Sequence, residues 1–259
     1  MSPMRMHWQT GLLLAVMLLV LLGVLALPPL PQPESYHDFA ADGAWLGIPN
    51  VADVVSNLAF VWVGLLGVIW VTRHPHRFRE AHQYWPYLTF FGAVILVGIG
   101  SAYYHWAPDH GRLFWDRLAM SLAFMAILAA ILSDRIGACR GTVVLPALLL
   151  VGALGSIHWY WSELQGTGDL RLYMLTQALP LVLGPLMVLL HPSIYTRDKD
   201  LPVAVGWYLL ALGADRLDHP IHDLTGGLLS GHTLKHLLAA LSVYWILRML
   251  RRRQWRSRA

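Results

Sequence analysis

Eight long apolar runs constrain the fold of this chain more than any other feature. They cover approximately residues 10–29, 52–72, 85–107, 113–133, 142–160, 171–191, 202–217 and 232–250. Most of them approach the roughly 20 residues that an α-helix needs to cross a bilayer. The alternating pattern of a membrane β-barrel is missing. The sequence therefore predicts an all-α, polytopic membrane protein: a seven-transmembrane-helix bundle with one extra N-terminal hydrophobic segment.

Composition agrees with a membrane protein and excludes several other classes. Hydrophobic residues make up 56% of the chain and charged residues 13%, about half of the roughly 25% found in soluble domains. The net charge is +4, but the basic residues lie mainly in short loops and near the C-terminus. That placement indicates contact with membrane lipids and no nucleic-acid partner. Because Cys139 is the single cysteine, an intramolecular disulfide and a cysteine-based zinc site are excluded.

The distribution of lysine and arginine predicts the orientation in the membrane. Cytoplasmic loops carry an excess of basic residues, and one set of helix ends holds most of them, including Arg73, Arg135 and Arg197. Both termini should therefore be cytoplasmic and the 30–50 loop should face outside. We expect six arginines near the C-terminus to lie beside anionic lipid; they are Arg248, Arg251, Arg252, Arg253, Arg256 and Arg258. Short loops and such a tail suit a bacterial inner membrane.

The chain divides into three predicted parts. Residues 1–30 form an N-terminal hydrophobic segment, either an extra helix or a signal anchor, and a cleaved signal peptide is the alternative. We favour a retained helix because the run is long and a proline cluster follows it. Residues 31–250 form the seven-helix membrane domain, and residues 251–259 form a basic cytoplasmic tail. The sequence gives no indication of oligomeric state.

Five polar residues at the outer ends of the predicted helices indicate a hydrolytic metal site. They are Ser101, His105, Asp116, His232 and His236. Side chains four residues apart share one face of a helix, so each histidine of the last helix lies one turn from the other. Three imidazoles with an open fourth position form a typical catalytic Zn²⁺ site. Ionisable groups inside membrane helices are costly and are usually functional.

Several other polar residues have less specific interpretations. Asp218 is a candidate partner for a metal-bound imidazole, whereas Asp215 is expected to be a solvated acid at a helix end. Ser56 and Asn57 should bond a neighbouring helix as structural contacts. Two further histidines on the same side, His110 and His219, are weaker candidates for supporting the site.

These motifs resemble the alkaline ceramidase family. Ser101-x3-His105 followed by Asp116, and the late His232-x3-His236, match the spacing of that family. Gly47-Ile48-Pro49-Asn50 with Ser56-Asn57 resembles the start of its first helix, and the resemblance covers roughly residues 36–250. The alkaline ceramidase family is itself part of a wider group of seven-helix membrane hydrolases that includes adiponectin-receptor-like proteins.

The resemblance implies a zinc-dependent amidase that cleaves a lipid amide, with a ceramide-like lipid as its substrate. Zn²⁺ would be held by His105, His232 and His236, and Asp116 would act as general base and then acid. Ser101 would stabilise the developing oxyanion. A calcium site known in animal members is doubtful here. Asp38 and Asp42 lie in the corresponding region, but Asn50 stands where an acid is expected.

Two other functions are compatible with the same histidines. The first is a receptor or channel-like membrane protein in which zinc is only a structural clamp. Ser101 and Asp116 count against it, because a structural zinc site closes its fourth position with a ligand. The second is a membrane cytochrome with histidine-ligated haem. The close pair on one helix does not favour axial ligation of a single haem.

Overall fold

The computed structural model describes residues 3–256, with side chains from residue 8 onwards within that range. The α-helices of this part of the chain are α1 (Pro3–Leu25), α2 (Val51–Ser56), α3 (Leu58–Arg73), α4 (Tyr84–Trp106), α5 (His110–Arg135), α6 (Ala138–Leu164), α7 (Arg171–Leu190), α8 (Asp200–Arg216), α9 (Asp218–Leu224) and α10 (Gly231–Arg252). Short 3-10 helices precede α2 and α4. Each of the eight predicted apolar runs contains a helix, and the predicted all-α fold is confirmed.

Within the part of the chain that the structure describes, seven helical segments are long and apolar enough to cross a membrane: α1, α2 together with α3, α4, α5, α6, α7 and α10. The chain is therefore a polytopic membrane protein. Helix α8 has only 17 residues, but it lies antiparallel to α10 along most of its length. The Ser242 hydroxyl donates a hydrogen bond to the carbonyl of Ala204 at 2.7 Å, and Arg248 pairs with Asp200 at 3.0 Å. At its other end, Ala214 lies against Gly231.

The helices from α3 to α8, together with α10, form a bundle, and α1 packs along α7. These two helices are antiparallel. The side chain of Gln9 donates to the carbonyl of Leu190 at 2.7 Å, and Arg171 donates to the carbonyl of Leu27 at 2.8 Å. The extra N-terminal helix thus lies beside the seven-helix bundle, as the sequence predicts.

Two details differ from the sequence-based expectation. Helix α1 ends at Leu25 rather than near residue 29, because Pro28 and Pro29 lack the N–H groups that would continue its hydrogen bonding. The following segment, 26–50, crosses one end of the bundle, where the amide of Leu170 donates to the carbonyl of Leu30 at 2.9 Å. The second difference is α9, a short helix between α8 and α10 that apolar periodicity did not reveal.

Small residues allow the central helices to approach each other closely. A Cβ atom added to Gly141 of α6 would lie 2.3 Å from the carbonyl oxygen of Ala129 in α5 and 2.1 Å from the Ser133 hydroxyl. Such contacts between backbones are typical of membrane helices, where small residues dominate the interfaces. The α5–α6 pair therefore depends on the missing side chain at residue 141.

The basic C-terminal segment makes more internal contacts than expected. Arg253 is only 2% exposed, its Nη1 atom lies 2.5 Å from Asp134, and its guanidinium stacks on Tyr195 at 3.8 Å. Arg248 pairs with Asp200, and Arg256 pairs with Asp198. Each of these three arginines therefore pairs with a buried or partly buried acid. Arg253 is buried, so the expectation that it lies beside lipid was wrong; for the partly exposed Arg248 and Arg256 that expectation stays a prediction. Arg258 lies outside the described residues.

The α5–α6 contact predicts unequal effects for two glycine substitutions. Gly141→Ala should destabilise the bundle by about 1–3 kcal/mol, the usual cost of overpacking, because the new Cβ meets backbone that cannot rotate away. Gly92→Ala in α4 is the matched control, since a Cβ there has no neighbour within 4 Å. Thermal unfolding of both variants in detergent measures the difference. Equal stabilities would contradict the assigned interface.

Candidate metal centre

Side-chain caps fix the first residues of α5 and α10, the two helices that carry Asp116, His232 and His236. The Asp109 carboxylate accepts a hydrogen bond from the amide of Arg112 at 2.8 Å and begins α5. The Ser230 hydroxyl accepts from the amide of Thr233 at 3.0 Å and begins α10. Such caps satisfy amides that have no partner within the helix. They fix the start of each helix, and Asp116, His232 and His236 are all buried in the bundle.

Three imidazoles predicted from the sequence converge at one end of the bundle. His105 at the end of α4 is 1% exposed, and His232 and His236 at the start of α10 are 4% and 3% exposed. The Nε2 atoms of His105 and His232 are 3.1 Å apart, and one ligand nitrogen from each ring lies within 4.8 Å of the others. This group could hold a metal ion.

Hydrogen bonds fix the outward nitrogen of two of these rings. The Ser56 hydroxyl donates to the carbonyl of Asp53 at 3.0 Å, so it must accept its 2.8 Å bond from Nδ1–H of His236. Nδ1 of His232 lies 2.8 Å from the Asp215 carboxylate, which can only accept, and 3.2 Å from the Lys235 ammonium. The shorter contact places the proton on Nδ1, and Lys235 donates to Asp215 at 3.0 Å. Because Nδ1 carries the proton in both rings, Nε2 keeps a free lone pair. This is the usual arrangement around a metal-binding histidine.

The donor set fits a zinc ion. Two nitrogens bound to one tetrahedral zinc at about 2.0–2.1 Å stand about 3.3 Å apart, close to the 3.1 Å between His105 and His232. Three neutral imidazoles are also a ligand set that zinc enzymes use with an open fourth position. The chain's own geometry therefore agrees with the predicted ligands.

Ser101 and Asp116 lie beside the histidines, as their spacing predicts. They approach because α4 and α5 almost touch at Gly100, where an added Cβ would lie 2.9 Å from the carbonyl oxygen of Trp115. Ser101 and Asp116 line the same end of one cavity, with the Ser101 hydroxyl near the Asp116 carboxylate. Oxygen Oδ1 of Asp116 is buried and has no hydrogen-bond partner among the described residues. It therefore remains available to a bound molecule.

An apolar cavity of about 190 Å³ extends from these residues into the bundle. Ser101, Asp116 and His236 line its polar end. Along α10 it continues to Ile246, a distance of about 15 Å at the rise of an α-helix. Its other walls are mainly aliphatic and aromatic and come from α3, α4, α5, α7 and α8. The shape and lining suit a hydrocarbon chain with its polar end at the histidines.

Two acids near the site have roles different from those expected. Asp215 was expected to be solvated, but it contacts Nδ1 of His232 and pairs with Lys235 at 3.0 Å. Asp218, the expected imidazole partner, instead accepts bonds from two backbone amides, those of His232 at 2.7 Å and Ala40 at 2.9 Å. The sequence placed both acids at the correct end of α8 and α9. It could not give the helix rotation that separates their roles.

Sequence reasoning missed further residues around the site. The Phe39 ring lies 4.7 Å from that of His105 and 4.4 Å from that of His232, measured between centroids, and so covers both. Arg117 is 4% exposed, with its guanidinium 4.1 Å from the Trp159 ring centroid. Ser56, expected to be only a structural contact, supports His236. Of these residues, only Ser56 had a recognisable signal in the sequence, because it is a polar residue inside an apolar run.

The remaining predicted polar residues lie elsewhere. His110 does not touch the three imidazoles and lies beside His37, with 3.2 Å between ring nitrogens. Burial lowers the pKa of His37, and the neighbouring His110 lowers it further. His219 is exposed on α9. Asp38 and Asp42 are exposed and belong to neither group of metal-ligating side chains found in the described part of the chain.

Comparison with known families supports the resemblance seen in the motifs. A model of the ceramidase family matches residues 48–193, which is more than half of the chain. The chain belongs to the ceramidase family. A search of curated proteins finds no match. Membership supports a ceramide-hydrolysing membrane enzyme, a hydrolase that acts on an amide bond.

The family match covers only part of the site. It includes Ser101, His105 and Asp116 and ends at residue 193, before α10. The convergence of His232 and His236 on His105 is therefore an independent observation from the fold. The residues within the family match and the two histidines of α10 thus lie at the same end of this ceramidase-family bundle.

The bond between Ser56 and His236 predicts a specific effect on metal affinity. Ser56→Ala should weaken zinc binding about 10–100-fold, the usual effect of removing a partner that orients a metal ligand. Ser242→Ala is a matched control, because Ser242 is equally buried but bonds the carbonyl of Ala204. Zinc competition with a chelator measures both affinities. An unchanged affinity in Ser56→Ala would show that this hydrogen bond does not support the ligand.

Proposed function

We propose that this protein is a zinc-dependent intramembrane amidase that hydrolyses a ceramide-like lipid to a fatty acid and a sphingoid-type base. The observation that carries the proposal is the set of three buried imidazoles beside Asp116, at the polar end of an apolar cavity. Family membership supports the class of substrate. The site residues are our own assignment: His105, His232 and His236 as metal ligands, with Ser101 and Asp116 as catalytic residues.

Zinc would supply the activation that amide hydrolysis needs. In such sites the ion lowers the pKa of a water molecule to about 7 and polarises a carbonyl group. Asp116 accepts a proton from the attacking water as general base. It then delivers that proton to the leaving amine nitrogen as general acid, so the carboxylate is regenerated in each turnover. The unpartnered Oδ1 atom of Asp116 supports this role.

Ser101 would act on the oxygen of the scissile carbonyl. Its hydroxyl lies one helical turn before His105, within reach of Asp116 and on the wall of the cavity. Donation of a hydrogen bond from this hydroxyl would stabilise the negative charge that develops during attack. The apolar cavity would meanwhile hold an acyl chain and keep the amide beside the histidines.

The same geometry separates this function from a receptor or channel with a structural zinc. A structural site closes the fourth metal position with a protein ligand. Here Asp116 and Ser101 instead face a cavity. Its aliphatic lining offers a place for a lipid chain, which a metal clamp alone does not need.

We further propose that the protein lies in a bacterial inner membrane, with both termini in the cytoplasm and the site towards the periplasm. Arg73, Arg135 and Arg197 lie at the end of the bundle opposite the site, and basic residues favour the cytoplasmic side. Residues 31–250 would then be the catalytic domain, with 1–30 as an accessory helix and 251–259 as the cytoplasmic tail. The packing of α1 along α7 supports that division.

Metal analysis combined with a hydrolysis assay tests the proposal. His232→Ala should bind about one zinc ion fewer per chain than the unchanged protein, because a three-ligand site has lost a ligand. It should also lose the release of fatty acid from a labelled ceramide. His219→Ala, which changes an exposed histidine of α9, should retain both properties. If His232→Ala loses zinc but the unchanged protein releases no fatty acid, the receptor function is favoured. If His232→Ala keeps the zinc content of the unchanged protein, the ligand assignment is overturned.

Replacement of the carboxylate separates metal binding from proton transfer. Asp116→Asn keeps the shape of the side chain but cannot accept the proton, so zinc content should stay constant while turnover falls by roughly 10²–10⁴-fold. The same labelled ceramide and metal analysis serve as readouts. Normal turnover in this variant would show that Asp116 is not the general base.

A further inference from the structure

A second group of ligating side chains lies at the same end of the bundle. Glu34 and His37 come from the 3-10 helix of segment 26–50, and His110 is the first residue of α5. Nε2 of His37 lies 3.2 Å from Nδ1 of His110, and a Glu34 carboxylate oxygen lies 3.7 Å from the same nitrogen. The three ligand atoms are all within 4.8 Å of one another.

We propose that Glu34, His37 and His110 form a second transition-metal site, which takes Zn²⁺ or a similar divalent ion. Two imidazoles and one carboxylate are a set that binds zinc in proteins. The site is separate from the proposed catalytic ligands and shares no residue with them. It therefore goes beyond the proposed hydrolysis.

The surroundings of His37 favour a ligand role. Its Nδ1 atom lies 2.8 Å from the hydroxyl of Tyr104, which is itself buried. When Nδ1–H donates to that hydroxyl, Nε2 carries the free lone pair and faces His110. A hydrogen bond between the two imidazoles alone would account for their contact, but it would give the Glu34 carboxylate no role.

Access to the second site differs from that of the catalytic group. The side chain of Glu34 is 87% exposed and that of His110 is 21% exposed. An ion can therefore reach these ligands from water without crossing the apolar cavity. Mixed exposure of this kind suits an ion that binds and leaves in response to its concentration.

A metal here would join segment 26–50 to the start of α5. Two residues after His37, Phe39 packs against the rings of His105 and His232, and the amide of Ala40 is held by Asp218 at 2.9 Å. Fixing His37 therefore holds Phe39 in place over the catalytic histidines. The second ion would act by positioning this cover, with no direct part in the cleavage of the amide.

Metal counting across five proteins tests the second site. After incubation with zinc and removal of the excess, the unchanged protein should hold about two ions, and His110→Ala and His232→Ala about one each. The double variant should hold none. Glu34→Gln, which alters an exposed side chain and preserves its shape, should weaken the second ion selectively. A zinc content in His110→Ala equal to that of the unchanged protein would overturn the proposal, whatever the outcome for His232→Ala.

Hydrogen exchange of segment 34–40 gives a readout independent of activity. In His232→Ala, where only the second site is intact, zinc should slow exchange of the Ala40 amide because the segment is tied to α5. In the double variant zinc should have no effect. Equal exchange with and without zinc in His232→Ala would show that no ion fixes this segment.

Discussion

The burial of three imidazoles side by side is the constraint on which the site depends. A buried polar group without a partner costs a few kcal/mol, and three imidazoles cannot satisfy one another completely. Asp215 and Ser56 accept from the outward nitrogens of His232 and His236. The inward nitrogens then face a common point with free lone pairs. A divalent ion held by these nitrogens would remove most of the remaining deficit and would thereby stabilise this end of the bundle. Nδ1 of His105 has no hydrogen-bond partner among the described residues.

Close contacts between helix backbones bring the residues of the site together. Gly100 brings α4 against α5, and Gly231 brings α10 against the end of α8. Each contact is made where a catalytic or ligating residue follows within a few positions. An added Cβ would lie 2.9 Å from the carbonyl oxygen of Trp115 at Gly100 and 2.2 Å from that of Ala214 at Gly231, so backbone near the proposed site would have to shift. Binding sites tolerate shifts of only about 0.5 Å. The positions of the site residues therefore depend on the close helix contacts of the bundle.

The sequence predicted the helices and the central residues but not their supports. Ser101, His105 and Asp116 could be grouped because helical periodicity and loop direction place them at one depth. The contact between Ser56 and His236 spans 180 residues, and no local pattern encodes it. Asp215, and not Asp218 as predicted, contacts an imidazole, because that contact depends on helix rotation. Phe39 lies in an irregular segment, where periodicity gives no information.

The pairing of Arg253 with Asp134 has a consequence for how the protein is made. The two residues are 119 positions apart, so Asp134 enters the membrane on α5 long before its partner is synthesised. During that interval the carboxylate lacks the guanidinium that pairs with it in the complete bundle. Completion of the chain thus closes the bundle at the end opposite the three imidazoles, and a chain that stops before residue 253 leaves Asp134 without its charged partner.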